Sequence, residues 1–269
     1  MRLCVYCGPT ENKITREHII PSFIYEHQKK KHKISGWNEI AKKTISGEAK
    51  IKDTCEYCNN IVLGRLDEYA KEFLFQHGIL NDVFLSEHVE LNYDYNLLFR
   101  WILKLSFNAV RQDGTQAPLF TQAIPYMLGS VVEGPFNMDV VAQILKPVQH
   151  SVEEVKMLSG LGVPVSDCGK TNPFIVRIGK AEVSGSNGGF IIRTVIMGAL
   201  IFYILIYDDR QSTIFREQVL STFMKNLKSG TLLQKNSSSA HLTAGEMNWI
   251  DAYGAAVLRA KFYENKRNS

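Results

Sequence analysis

The sequence predicts an α+β protein in two parts. A small cysteine-held unit spans residues 1–78, and an α+β domain with a mostly antiparallel sheet spans 79–269. Three observations predict it. Two Cys-x-x-Cys pairs, Cys4/Cys7 and Cys55/Cys58, account for four of the five cysteines. A run over 94–114 has apolar residues nearly all round at helical spacing. Runs rich in β-branched and aromatic residues follow at 140–148, 174–183 and 190–207.

In the first part, two residues between cysteines let both sulfurs meet one ion from a tight turn. Two such turns complete a tetrahedral four-cysteine zinc site, the alternative being a redox dithiol. Residues 3–20 read as the first turn and a short hairpin, with Ile14, Ile19 and Ile20 as apolar positions. After Cys58, residues Ile61, Val62, Leu66, Tyr69, Ala70, Phe73 and Leu74 recur at near-helical spacing, and Gly78 is the expected stop. Asn59 then lies in the first turn of that helix. A bound ion would fix helix and hairpin together, because so small a unit has little core of its own.

In the second part, Asp94 and Gly114 bracket the apolar helix as cap and stop. The stretch 190–207 reads as one long strand, or as two with a bend at Gly198. Ser184–Gly189, SGSNGG, reads as a hairpin turn. Asp208 and Asp209 read as a strand-end turn, with a metal-binding carboxylate pair as the alternative. A helix is predicted over 212–227 with Gly230 as its end, a polar loop over 232–245, and a last helix over 246–262 before a basic tail. Cys168 stands alone and reads as a small buried hydrophobe.

Composition narrows the class. With 45% hydrophobic and 22% charged residues, the chain is neither disordered nor fibrous. The longest greasy stretch, Val195 to Tyr207, is too short to cross a bilayer, and no signal-peptide core is visible. The expectation is a soluble, cytoplasmic protein of a reducing compartment, with no membrane partner. The net charge of +4 lies wholly within residues 26–53, where eight lysines face four acids. Lys29, Lys30, Lys31, Lys33, Lys42, Lys43, Lys50 and Lys52 form either a solvated loop or a contact to a phosphate backbone.

Between the cysteine pairs stands Glu17-His18-Ile19-Ile20-Pro21, and Asn59-Asn60 directly follows Cys58. In this order and spacing, residues 1–75 resemble the HNH (ββα-metal) endonucleases, in the zinc-clamped branch that includes the phage resolvase endonuclease VII. Glu17 stands where many members have Asp. The family's middle motif asparagine, which orients the histidine loop and is expected some residues before the third cysteine, has no obvious counterpart: Asn38 is the only asparagine between His18 and Cys55, and residues 47–54 contain none. The length of the insert suggests an added lysine-rich hairpin or loop.

The resemblance implies a metal-dependent endonuclease that cuts DNA to leave 5′-phosphate ends, with defence against foreign DNA as one setting for such an enzyme. His18 is then the general base, since an imidazole exchanges a proton near neutral pH. Glu17 and Asn59 hold one Mg²⁺ or Mn²⁺, a hard ion suited to oxygen ligands, which stabilises the leaving 3′-oxygen. Arg16, Arg65 and Lys29, Lys30, Lys31 and Lys33 are candidate phosphate contacts, with a plain surface role as the alternative. His27 and His32 are phosphate contacts or solvated. Asp67 is an outer ligand or a solvent-facing acid, and His77, His88, His150 and His241 have no partner pattern. Residues 79–269 carry no resemblance; target choice, dimerisation or partner binding is their expected role. Two rival readings remain: a non-catalytic zinc knuckle that binds nucleic acid, and a nuclease silent until a partner releases it.

Overall fold

The computed structural model describes residues 1–29, 35–38, 43–111, 116–181 and 188–252. They form two compact units, one of Met1–Glu72 with Asn96–Phe136, the other of Phe73–Tyr95 with 137–252. The single boundary expected after residue 78 is therefore replaced by an exchange of segments. The long apolar helix belongs with the N-terminal unit.

In the first unit, β1 (Arg2–Cys4) and β2 (Gly8–Thr10) form a hairpin whose turn carries Cys7. Gly8 has φ +77°, a conformation that costs glycine nothing. Strand β3 (Ile14–His18) leads through Pro21 into α1 (Ser22–Lys29), which buries Ile24 and Tyr25. Proline suits this place because its fixed φ fits a helix start and its missing N–H is not needed there. Strands β4 (Ser35–Asn38) and β5 (Lys43–Ser46) pair antiparallel, so the insert between His18 and Cys55 holds a hairpin, as expected, and a helix that was not. Lys30, Lys31, Lys33, Lys42 and His32 lie outside the described residues.

Strand β6 (Lys50–Cys55) runs antiparallel to β3, with Ile14 opposite Cys55 and His18 opposite Lys50. This register sets the two cysteine turns at one end of the ribbon and His18 at the other. The chain then enters a π-helical stretch, Tyr57–Leu63, that continues as α2 (Gly64–Gln76). Gly78, at φ +68°, follows its end. Helix α3 (Tyr95–Val110) buries residues on nearly every face, as its all-round apolar pattern requires. Its expected stop, Gly114, lies outside the described residues. Helix α4 (Ile124–Met127) brings Tyr126 edge-on to Phe99 of α3.

The second unit is built on a seven-stranded sheet. Its strands are β7 (His88–Asn92), β8 (Met138–Lys146), β11 (Val176–Ala181), β12 (Phe190–Met197), β13 (Leu200–Tyr207), β14 (Thr231–Leu232) and β15 (Ser239–Asn248). The order is β11-β12-β13-β8-β15-β7, with β14 also on β8. Every pairing is antiparallel except β15 with β8. Two further short strands, β9 (Val148–Gln149) and β10 (Lys170–Thr171), pair with each other. Between them α5 (Val152–Gly160) starts from a capping box of Ser151 and Glu154.

The stretch 190–207 resolves into two strands. Gly198, at φ +58°, makes the turn between them. A Cβ there would lie 2.8 Å from the Phe174 ring and 3.0 Å from the Ile79 carbonyl, so glycine is required on two counts. Helix α6 (Thr213–Leu227) is capped by Ser212 and ends at Lys228, before the expected Gly230. It lays Phe215, Val219, Leu220, Phe223, Met224 and Leu227 against a core of Val141, Ile192, Ile196, Ile201, Tyr203 and Leu205.

Three expectations for this unit are corrected. Residues 239–248 form β15, not loop followed by helix; helical backbone begins only at Trp249, and residues from 253 lie outside the description. Ala240 and Leu242 face in between exposed Ser239 and His241, a strand period carried by small and polar residues. Cys168 is exposed, not buried, in a turn where it meets the Ser166 hydroxyl. The SGSNGG turn is described only at Gly188 and Gly189, both at positive φ. Asp208 and Asp209 hold Arg210 and Asn137, as a strand-end turn should. Among the described residues no helix is long and apolar enough to cross a membrane.

Candidate functional site

The ligand atoms of Cys4, Cys7, Cys55 and Cys58 lie within 4.8 Å of one another. They come from the end of β1, the hairpin turn, the end of β6 and the π-helical stretch. Cys7 and Cys55 are 3.7 Å apart, sulfur to sulfur. A tetrahedron with metal–sulfur bonds of about 2.3 Å has edges of about 3.8 Å. The backbone N–H of Cys55 donates to the Cys4 sulfur at 3.3 Å, and that of Cys58 to the Cys55 sulfur at 3.5 Å. Burial pushes the Cys7 thiol up to about 11 and Cys58 far above the ordinary range. At Cys4 the opposing backbone hydrogen bonds prevail over burial and lower it to about 7. Four sulfurs so close ionise together only around a cation. The cluster could hold a metal ion, and its donors are compatible with structural zinc.

Asn59 follows Cys58 in the π-helical stretch. Its Nδ2 donates to Thr15 Oγ1 at 2.9 Å and to the Arg16 carbonyl at 3.2 Å. The asparagine is thus tied back to the strand that ends in His18, two residues beyond Arg16. Cysteines, Asn59 and the His18 strand therefore form one assembly.

His18 sits half-buried at the end of β3, and its Nε2 bonds Glu48 Oε2 at 2.8 Å. Glu48 also takes Lys29 Nζ on Oε1 at 2.5 Å and Lys50 Nζ on Oε2 at 2.7 Å. Lys29 first, then Lys50 and His18, hold the Glu48 carboxyl well below the ordinary carboxylate range. The neighbouring Ala49 donates its N–H to the Tyr25 hydroxyl and accepts from Ile19 N–H, which fixes the backbone at this point.

Glu17 is held elsewhere. Successive residues of a strand point to opposite faces, and Glu17, 3% exposed, turns inward while His18 turns out. Its Oε1 meets Lys104 Nζ at 3.0 Å and accepts from Asn108 Nδ2 at 3.2 Å. Lys104 is 1% exposed and also holds Asp67 Oδ2 at 2.7 Å; Asp67 Oδ1 accepts from the Trp101 indole. Burial alone would push Lys104 toward neutrality, but the Asp67 and Glu17 carboxylates reverse this and keep it a strong cation. Asn108 Nδ2 donates as well to the His18 carbonyl at 3.0 Å, and its Oδ1 accepts from the Tyr6 hydroxyl at 2.5 Å. Arg111 continues the row, bonding Asp53 and lying over the Tyr6 ring.

An ammonium and an amide already hold Glu17 Oε1 on the face opposite His18, so this arrangement lends no support to the expected pairing of Glu17 with Asn59 around a divalent ion. Asp67 is half-buried and is the second partner of Lys104. Arg16 and Arg65 are exposed, and Lys29 is engaged by Glu48. Sequence reasoning missed Glu48, Lys104 and Asn108. Glu48 was counted only as an acid among lysines, and the other two lie on a helix read as apolar. No protein family, no curated protein and no solved structure matches this chain.

Proposed function

We propose that the protein is a zinc-clamped nuclease of the HNH kind that hydrolyses phosphodiester bonds in nucleic acid, with DNA as the first substrate to test. Zn²⁺ held by Cys4, Cys7, Cys55 and Cys58 is structural. His18 is the general base. The observation that carries this reading is the Asn59 side chain, bonded at 2.9 and 3.2 Å to the strand that ends in His18.

Among the described residues Glu48 takes His18 Nε2. A carboxylate partner makes Nε2 the protonated nitrogen and leaves the lone pair on Nδ1. Nδ1 then takes the proton of a water as its oxygen attacks phosphorus. The P–O3′ bond breaks, the 3′-oxygen leaves with the bonding pair and takes a proton from solvent, and the phosphate stays on the 5′ side. The Mg²⁺ or Mn²⁺ implied by the resemblance draws no support from Glu17, and no step is assigned to it.

Nicking of supercoiled plasmid by the full-length chain with Mg²⁺ or Mn²⁺ tests the reading. His18→Ala is expected to slow nicking about 10²–10⁴-fold, the usual contribution of a general base. An unchanged rate removes His18 from the chemistry. The closure of Glu17 by Lys104 favours one other reading, a zinc knuckle that binds nucleic acid without cutting it. That reading expects salt-sensitive binding and no nicking with either metal.

A further inference from the structure

Among the described residues, three side chains from three elements converge on one carboxylate. His18 ends β3, Lys29 lies in the last turn of α1, and Lys50 opens β6 directly opposite His18. Their nitrogens reach Glu48 at 2.8, 2.5 and 2.7 Å. Removal of the Glu48 side chain would leave a receptor for a small anion with two acceptor oxygens. The non-bridging oxygens of a phosphodiester offer that pair with the same single charge. The receptor is open on one side, since the Lys29 and Lys50 side chains are 54% and 35% exposed. Gly47, just before Glu48, has φ +97° with open space where a Cβ would point, while Ala49 is pinned by Tyr25 and Ile19. The Glu48 side chain can therefore leave while its backbone stays.

We propose that His18, Lys29 and Lys50 form a subsite for a backbone phosphate of nucleic acid, and that Glu48 fills it in the free protein as an internal competitor. The proposal deepens the nuclease reading and rests on its nucleic-acid substrate, not on cleavage. The phosphate held here flanks the one that is cut. Exchange of a carboxylate oxygen for a phosphate oxygen keeps Nε2 a donor and Nδ1 an acceptor, so the base retains its tautomer when substrate arrives.

Binding of a labelled DNA oligonucleotide to the full-length chain, measured across salt concentrations without added divalent metal, tests this. Glu48→Gln keeps the shape and removes the charge. It is expected to bind about tenfold tighter, with a log K against log salt slope steeper by about one, as for one added phosphate contact. Lys29→Ala and Lys50→Ala added to Glu48→Gln should abolish the gain. Equal or weaker binding by Glu48→Gln, with an unchanged melting temperature, overturns the proposal, because Glu48 would then be organising the lysines. If Glu48→Gln melts early, Lys50→Ala in the wild-type background decides: a shallower slope supports the subsite, an unaltered one overturns it. Tight inorganic phosphate binding by Glu48→Gln with no gain for DNA assigns the site to a free anion and overturns the nucleic-acid assignment. Absence of nicking by wild type leaves the binding result intact. Nicking with unaltered Glu48→Gln affinity keeps the nuclease and removes the subsite.

Discussion

Cys58→Ser is expected to lose a stoichiometric zinc ion and, with it, the fold of the first unit. The strands around the cluster form only two-stranded ribbons, β1 with β2 and β3 with β6. Such ribbons are marginal in water on their own. The apparent binding free energy of structural zinc in small domains is about 10–16 kcal/mol at neutral pH. That is as large as the whole stability of an ordinary domain, about 5–15 kcal/mol. Cys55 and Cys58 are also buried, so a serine hydroxyl there loses the ion and gains an unpaired polar group. Elemental analysis of the wild type should give one zinc per chain, and Cys58→Ser close to none. Amide exchange should show β3 and β6 unprotected in the variant while β12 and β13, in a sheet with its own core, stay protected. Cys168→Ser is the control: its thiol is exposed and is not one of the four clustered sulfurs, and both readouts should match wild type. A Cys58→Ser chain with wild-type protection in β3 and β6 would remove the metal from the account of the fold.

The parts of this arrangement that were legible in sequence are those written in local spacing. The cysteine pairs announce a metal turn within four residues, and the glycine at 198 announces the break between β12 and β13. Asn59 was legible for the same reason, because it adjoins a ligand. What stayed hidden depends on partners far along the chain. Trp101, Lys104, Asn108 and Arg111 recur at intervals of three and four, which is one stripe of α3. In sequence the helix reads as apolar nearly all round, and none of these residues is singled out. Their stripe is the face that receives Tyr6, Glu17, Asp53 and Asp67. Asn108 grips the His18 carbonyl from outside the motif, a contact for which the insert between the cysteine pairs, with Asn38 alone, gave no cue. Glu48 was hidden by arithmetic: within a lysine excess, a single acid looks like dilution until its three partners are seen around it.

The buried stripe of α3 yields the second large effect. Lys104→Met should destabilise the chain by about 3–5 kcal/mol, the usual result of removing one member of a buried ion group. Methionine fills much the same volume, so the loss is electrostatic rather than a cavity. Glu17 is left as a buried carboxylate without a cation beside Asp67, whose carboxyl burial already raises above its ordinary value despite Lys104. The pH dependence separates this cause from loose packing. With the ammonium gone, the Asp67 carboxyl, which burial already raises, is expected to titrate further above its unfolded value. The folded state then binds more protons, and stability must rise as pH falls from neutral toward the carboxylate range. A packing defect gives a deficit that is the same at each pH. Urea midpoints for wild type and Lys104→Met at several pH values check both the size and the slope. Adding Glu17→Gln and Asp67→Asn should remove the slope and restore part of the stability, because neutral amides need no counter-ion. A Lys104→Met chain as stable as wild type at neutral pH would mean that Glu17 is free of its lysine and open to other ligands, which would return it to the surface chemistry beside His18.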